Sequence, residues 1–134
     1  NYRTEDVAAR VRAITGADAG VDRVIEVAFG ANLATDLSVM KPGGVIATYA
    51  SDAVPEPAVP FWPMLAKDLT VRFVLVYAMS REAHDTAAAW IGEALGAGRL
   101  KHQVHRTFAL DEIAAAHEAT ESMKQIGKVL VAID

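Results

Sequence analysis

From Val21 to Ala50 the chain carries two short runs rich in Val and Ile, separated by a helix-length segment and by Lys41-Pro42-Gly43-Gly44. That order leaves few choices of fold. The first run is too short for an ordinary helix and reads as a buried strand. The middle segment places Leu33, Leu37 and Met40 on one stripe, as an amphipathic helix requires. Pro42 cannot continue that helix, and Gly43 and Gly44 permit a reversal into a second buried strand. Two strands joined through a helix run parallel in one sheet, with a right-handed crossover. Ligands of open parallel sheets sit beyond the carboxyl ends of the strands. Those ends are Ala28-Phe29-Gly30 and Tyr49-Ala50-Ser51, which are therefore the first candidates for a binding site.

The flanking segments extend the alternation. Thr4 is the expected cap of a first helix, with Glu5 and Asp6 at the positive end of its dipole and Val7, Val11 and Ile14 as its apolar stripe. Gly16 ends it, and Asn1-Tyr2-Arg3 reads as the tail of a preceding strand, leaving at the same rim as Phe29 and Tyr49. The prolines between Ser51 and Pro60 predict an irregular surface segment. A short helix is expected from Phe61 to Lys67, and a third strand from Leu69 to Tyr77. Ser80 caps the longest helix, which runs to about Gly96, with Ala83, Ala87, Ile91, Ala94 and Leu95 facing inward and Trp90 at the margin. The tail holds an extended piece from Val104 to Phe108 and a helix capped by Asp111 that contains Ile113, Ala114 and His117. Gly127 turns the chain into a last strand from Lys128 to Ile133. Strand alternating with helix argues the α/β class.

Composition narrows the functions. Hydrophobic residues make up 52% of the 134, enough for a packed core. The net charge of −4 argues against a nucleic acid or an anionic membrane as the main partner. Without cysteine there is no disulfide, thiolate zinc ligand or cysteine nucleophile within the chain, and a reducing cytoplasm fits. No apolar run is long enough to span a bilayer. The histidines His84, His102, His105 and His117 show no zinc-ligand spacing, so no metal is expected in this chain. Glu26, flanked by apolar strand residues, reads as a paired structural carboxylate. The chain opens on Asn1 almost at a helix start, as a segment of a longer protein would.

Several stretches, in this order, resemble the C-terminal part of a medium-chain dehydrogenase/reductase of the quinone oxidoreductase (zinc-binding dehydrogenase-like) group. They are Asn1-Tyr2-Arg3-Thr4-Glu5-Asp6, Gly20-Val21-Asp22-Arg23-Val24-Ile25-Glu26, Lys41-Pro42-Gly43-Gly44, the run from Phe108 to His117, and Gly127-Lys128-Val129-Leu130-Val131. The resemblance implies the second half of a doubly wound parallel Rossmann-type sheet, followed by a strand-helix-strand tail that in the family returns to a catalytic domain. Residues 1–100 would be the partial dinucleotide-binding domain and 101–134 the tail. The glycine-rich phosphate turn of that family has no counterpart in this chain. The resemblance further implies NADPH as cofactor and hydride transfer to a quinone or activated enone in a parent protein, with this chain alone inactive. Other readings are a non-catalytic dimerisation or assembly module and, from a different class, a methyltransferase. The last lacks the acidic strand-end residue that would hold a ribose.

Site residues follow from the same resemblance. Tyr2 matches a position near the adenosine end of NADPH, where Arg3 would add charge for a 2′-phosphate; otherwise Tyr2 packs on the sheet edge. Phe29 would wall the nicotinamide ribose and Gly30 would let the backbone approach it, or both belong to an ordinary strand-to-helix turn. Tyr49, Ala50 and Ser51 match a loop that faces the nicotinamide. Val74, Leu75 and Val76 match residues whose backbone faces the carboxamide, while their side chains read as core. Gly127 and Lys128 match a motif that folds back towards the cofactor, with a solvated lysine at a strand start as the plain alternative. Family members also pair an edge strand with its twofold mate, which implies a homodimer through the strand from Leu69 to Tyr77.

Overall fold

The structure, a computed structural model, describes residues 1–16, 19–122 and 124–133. The chain divides into two units, residues 1–79 and 80–134.

In the first unit, helix α1 (Val7–Thr15) leads to strand β1 (Val21–Glu26), helix α2 (Phe29–Val39), strand β2 (Met40–Thr48), helix α3 (Phe61–Ala66) and strand β3 (Thr70–Phe73). The strands form one sheet in the order β1-β2-β3, with both pairings parallel. Val24 lies beside Ile46 and Ile46 beside Val71, so one row of branched side chains crosses the sheet. Helix α2 lays Phe29 and Leu33 on that row, and with Met40 and Ile46 they form the core. Lys67 ties α3 to this layer by donating from Nζ to the Leu37 and Met40 carbonyls at the end of α2.

Local details depart from the sequence reading. The first helix is capped by Asp6, whose carboxylate accepts the Ala9 N–H at 2.9 Å, and not by Thr4. Thr4 and Glu5 instead donate their N–H groups to the Asn1 carbonyl, so the first residues form a turn and not a strand tail. None of the expected stripe of α1 is buried: Val11 is half-buried and Val7 and Ile14 are exposed. Met40 opens β2 and does not close α2. Residues 41–44 do not reverse the chain. They bulge within β2 opposite Asp22, where Val21 faces Met40 but Arg23 faces Val45. A bulge tolerates Pro42, which brings no N–H to the ladder, and Gly43 takes a φ of +74° there. Strand β1 is covered on one face only: Glu26 is buried while Ile25 is 74% exposed. The third strand ends at Phe73, and a tight turn over Val76–Ala78 replaces the rest of the expected run to Tyr77.

The second unit contains helix α4 (Arg81–Gly96), strand β4 (Val104–Ala109), helix α5 (Ile113–Glu121) and strand β5 (Lys128–Ala132). Ser80 caps α4 as expected, its hydroxyl accepting the Ala83 N–H. Of the face assigned to α4, Ala94 is buried and Ala83 half-buried; Ala87, Ile91 and Leu95 are exposed. Strands β4 and β5 pair in parallel. Helix α5 starts at Ile113, after a tight turn over Leu110–Glu112 that contains Asp111, and it is Glu112 that accepts the Ala109 N–H. Among the described residues no helix is long and apolar enough to cross a membrane.

Candidate functional site

The carboxyl ends of the three parallel strands of the first unit are laced together. The Tyr49 N–H donates to the Glu26 carbonyl at 3.1 Å, the Phe29 N–H to the Ala50 carbonyl at 3.1 Å, and the Val74 N–H to the Thr48 carbonyl at 2.8 Å. Ala28 and Ser51 form an isolated antiparallel bridge. This lacing holds open a cavity of about 350 Å³. Phe29 walls it from the start of α2; Thr48, Tyr49, Ala50 and Ser51 from the end of β2; and Phe73, Val74 and Leu75 from the end of β3. Pro55 and Pro57 of the proline-rich segment complete the lining.

The walls are mainly apolar, and the hydroxyls at the rim are engaged locally. Ser51 Oγ accepts the Gly30 N–H at 2.9 Å and donates to the Val54 carbonyl at 2.6 Å. Thr48 Oγ1 donates to the Ala50 carbonyl. Among the described residues no lysine or arginine lines the cavity. A flat, weakly polar ring therefore suits this space and a diphosphate does not.

Phe29 fills two roles: it is 2% exposed and in the core, and its ring also forms a wall. Gly30 does not open the backbone to a ligand. A Cβ there would lie 2.6 Å from Val54 Cβ and 2.7 Å from the Val54 carbonyl oxygen, so the chain itself occupies that approach. Tyr2 is 75% exposed and does not line the cavity; its hydroxyl accepts from Arg3 Nε at 3.3 Å. Val76 lies outside the lining. Gly127 and Lys128 belong to the second unit, where Gly127 turns with φ +98° and the exposed Lys128 starts β5. The structure thus brings Phe29, Tyr49, Ala50, Ser51, Val74 and Leu75 to one cavity. Thr48, Phe73, Pro55 and Pro57 were missed. A strand residue and a proline-rich loop carry no signal that they turn towards a strand-end site.

Beneath this rim, Glu26 and Asp36 are both buried. Glu26 accepts the Ala28 N–H and, through both oxygens, the Asn32 side-chain amide at 3.1 and 3.2 Å. Glu26 is thus held by a backbone N–H and an amide side chain, and among the described residues it joins no ion pair. Asp36 Oδ2 has no hydrogen-bond partner. Burial, then the charge of Glu26 and a hydrogen bond to it, push the Asp36 carboxyl from 3.8 up to about 7. Among the described residues no group of three or more His, Cys, Asp or Glu side chains is arranged to hold a metal ion.

Comparison with known proteins decides the family. Residues 1–131 match the zinc-binding dehydrogenase family. The chain belongs to that family. It is 32% identical to a 2-haloacrylate reductase of Burkholderia sp over 98% of this chain and 40% of that protein. It is 26% identical to a quinone oxidoreductase of Pongo abelii over 88% of this chain and 35% of that protein. The crystal structure of 2-haloacrylate reductase superimposes with a TM-score of 0.74 at 29% identity, covering all of this chain (100%) and 43% of that one. The chain therefore spans well under half the length of these relatives. As a member of the zinc-binding dehydrogenase family it has the expected α/β architecture with a Rossmann-type parallel sheet.

Proposed function

We propose that this chain supplies the nicotinamide-side half of the cofactor site of an NADPH-dependent oxidoreductase that passes hydride to a quinone or an activated enone. The observation that carries this reading is the cavity at the ends of three parallel strands, apolar and without a cation in its lining. When bound, the dinucleotide supplies the hydride from its nicotinamide ring. Phe29 and Phe73 offer the ring flat apolar walls. The backbone of Val74 and Leu75, which lines the cavity, would face the carboxamide. The diphosphate has no partner in this lining, in keeping with the lack of a glycine-rich turn in the chain.

The similarity to a 2-haloacrylate reductase and to a quinone oxidoreductase supports an electron-poor conjugated acceptor. Such an acceptor spreads the incoming charge over its own conjugated system. As a further part of this reading, the outer edge of β3 pairs with its twofold mate in a homodimer. Among the described residues β3 pairs on one side only, and Tyr77 beyond it is 94% exposed. Sedimentation that finds only monomer at high concentration removes this last element.

The test of the site is a titration of the protein with NADPH, followed by backbone amide NMR. The amides of Phe29, Ala50 and Leu75 shift together on this reading. Amides that stay in place at saturating NADPH overturn it.

A further inference from the structure

Glu26 and Asp36 are an unusual pair to find with no cation against them among the described residues. Both are buried, at 4% and 5% exposure. Helix α2 packs on α1, β1 and β2 and, at its head, on Val54 and Pro57 of the proline-rich segment and on Phe73 of β3. The charged groups on these last two, Asp52, Glu56 and Arg72, are exposed. Arg10 and Arg12 on α1 and Arg23 on β1 are exposed. Lys41 on β2 pairs with Asp22, at 3.1 Å to both oxygens. Lys67, after α3, is bound to the carbonyls of Leu37 and Met40. Of all these groups, Glu26 is the one whose charge acts on Asp36.

Two carboxylates cannot both stay ionised in such a place. Each buried charge needs a partner, and like charges at close range raise the free energy further. The oxygens are also unequally served. Glu26 accepts three hydrogen bonds, from the Ala28 N–H and the Asn32 amide, whereas Asp36 Oδ2 accepts none. Charge is therefore better served on Glu26, and the proton on Asp36.

We propose that Glu26 and Asp36 share a single proton, and that this proton holds the β1–α2 junction, and with it the Phe29 wall of the cavity, in place. The link is short. Glu26 ends β1, its carboxylate holds Ala28 and Asn32, and Phe29 lies between those two residues at the head of α2. When Asp36 gives its proton to water, two negative charges face each other in the core. The carboxylate that anchors Ala28 and Asn32 is then repelled from its position. The pair makes the geometry of the cavity respond to pH close to neutrality, whatever ligand the cavity takes.

The experiment is a pH titration of the whole protein, followed by carbon-13 NMR of the Asp and Glu side-chain carboxyls together with the Ala28 amide and the Phe29 ring. One carboxyl titrates near neutrality, and the Ala28 and Phe29 signals move with the same midpoint. Asp36→Asn, which keeps a donor to Glu26, removes that titration and leaves Ala28 and Phe29 insensitive to pH in this range. Glu26→Gln lowers the Asp36 midpoint, because the facing charge is gone while burial remains. The proposal is overturned if no carboxyl titrates near neutrality, if Asp36 does so while Ala28 and Phe29 stay still, or if Glu26→Gln leaves the midpoint where it was. The titration of the natural protein decides the matter even if a variant fails to fold.

Discussion

The ring of Phe73 meets that of Phe29 edge-on, with centroids 6.0 Å apart and planes at 76°. One ring stands at the tip of β3 and the other at the head of α2, yet their surroundings differ. Phe29 is 2% exposed and Phe73 is 77% exposed. The pair thus joins a core residue to an exposed residue at the rim of the cavity.

That contrast separates folding from binding. Phe29→Ala removes a buried ring and lowers stability by about 3–5 kcal/mol. Phe73→Ala forfeits the edge contact, worth roughly 0.5–1.5 kcal/mol, and little burial. Chemical denaturation of the two variants shows the difference. If the cavity holds the nicotinamide, Phe73→Ala also weakens NADPH binding several-fold while its melting changes little.

Gly30 is required by the chain and not by a ligand. A methyl group there runs into Val54, whose Cβ and carbonyl oxygen lie 2.6 and 2.7 Å from the position it would take. Gly30→Ala therefore pushes the proline-rich segment off α2, at roughly 1–3 kcal/mol. Ser51→Ala acts on the same contact from the other side, leaving the Gly30 N–H and the Val54 carbonyl without their shared hydroxyl. Limited proteolysis within residues 52–59 is expected to speed up in both variants, and an unchanged digestion rate contradicts this account.

How much of this was legible in the sequence depends on the range of the interaction. Strand periodicity and the rule for parallel sheets sufficed to bring Phe29 and Tyr49 to one rim, because both follow from local pattern and connectivity. Features settled by competition between neighbours were not legible. Thr4 and Asp6 are both good caps, and the turn that the Asn1 carbonyl makes with Thr4 and Glu5 decides for Asp6. Pro42 reads as a stop until the bulge opposite Asp22 shows how a central strand accommodates it. The Glu26–Asp36 pair was invisible for another reason. Its members belong to different elements, and only the packing of α2 on the sheet brings them face to face.

In the second unit Gly127 sets the start of β5. Its φ of +98° lies in the region that favours glycine, and an added Cβ would sit 2.6 Å from the Gln103 carbonyl oxygen. That carbonyl accepts the Lys128 N–H at 2.8 Å, the contact that leads into the β4–β5 pairing. Gly127→Ala is expected to lose about 1–3 kcal/mol and to speed amide hydrogen exchange in β4 and β5. Exchange in β1 to β3 provides the internal reference. Equal acceleration in all five strands contradicts a local effect.

The Asp36 carboxyl also makes a signed prediction about stability. In the folded chain burial and Glu26 raise it from 3.8 to about 7, so between those values the folded state holds a proton that the unfolded state has lost. Stability from this group is fully present below the unfolded value and falls as pH rises, with a limiting slope of about 1.4 kcal/mol per pH unit. Above the folded value the loss is complete and the curve flattens. Asp36→Asn cannot ionise, so it is expected to match the natural protein in mild acid and to become the more stable of the two towards neutrality. Urea unfolding of both proteins across this range measures the difference directly, and other carboxyls common to both cancel. A difference that is constant with pH, or that grows towards acid, means Asp36 is ionised in the folded chain and refutes the shared proton.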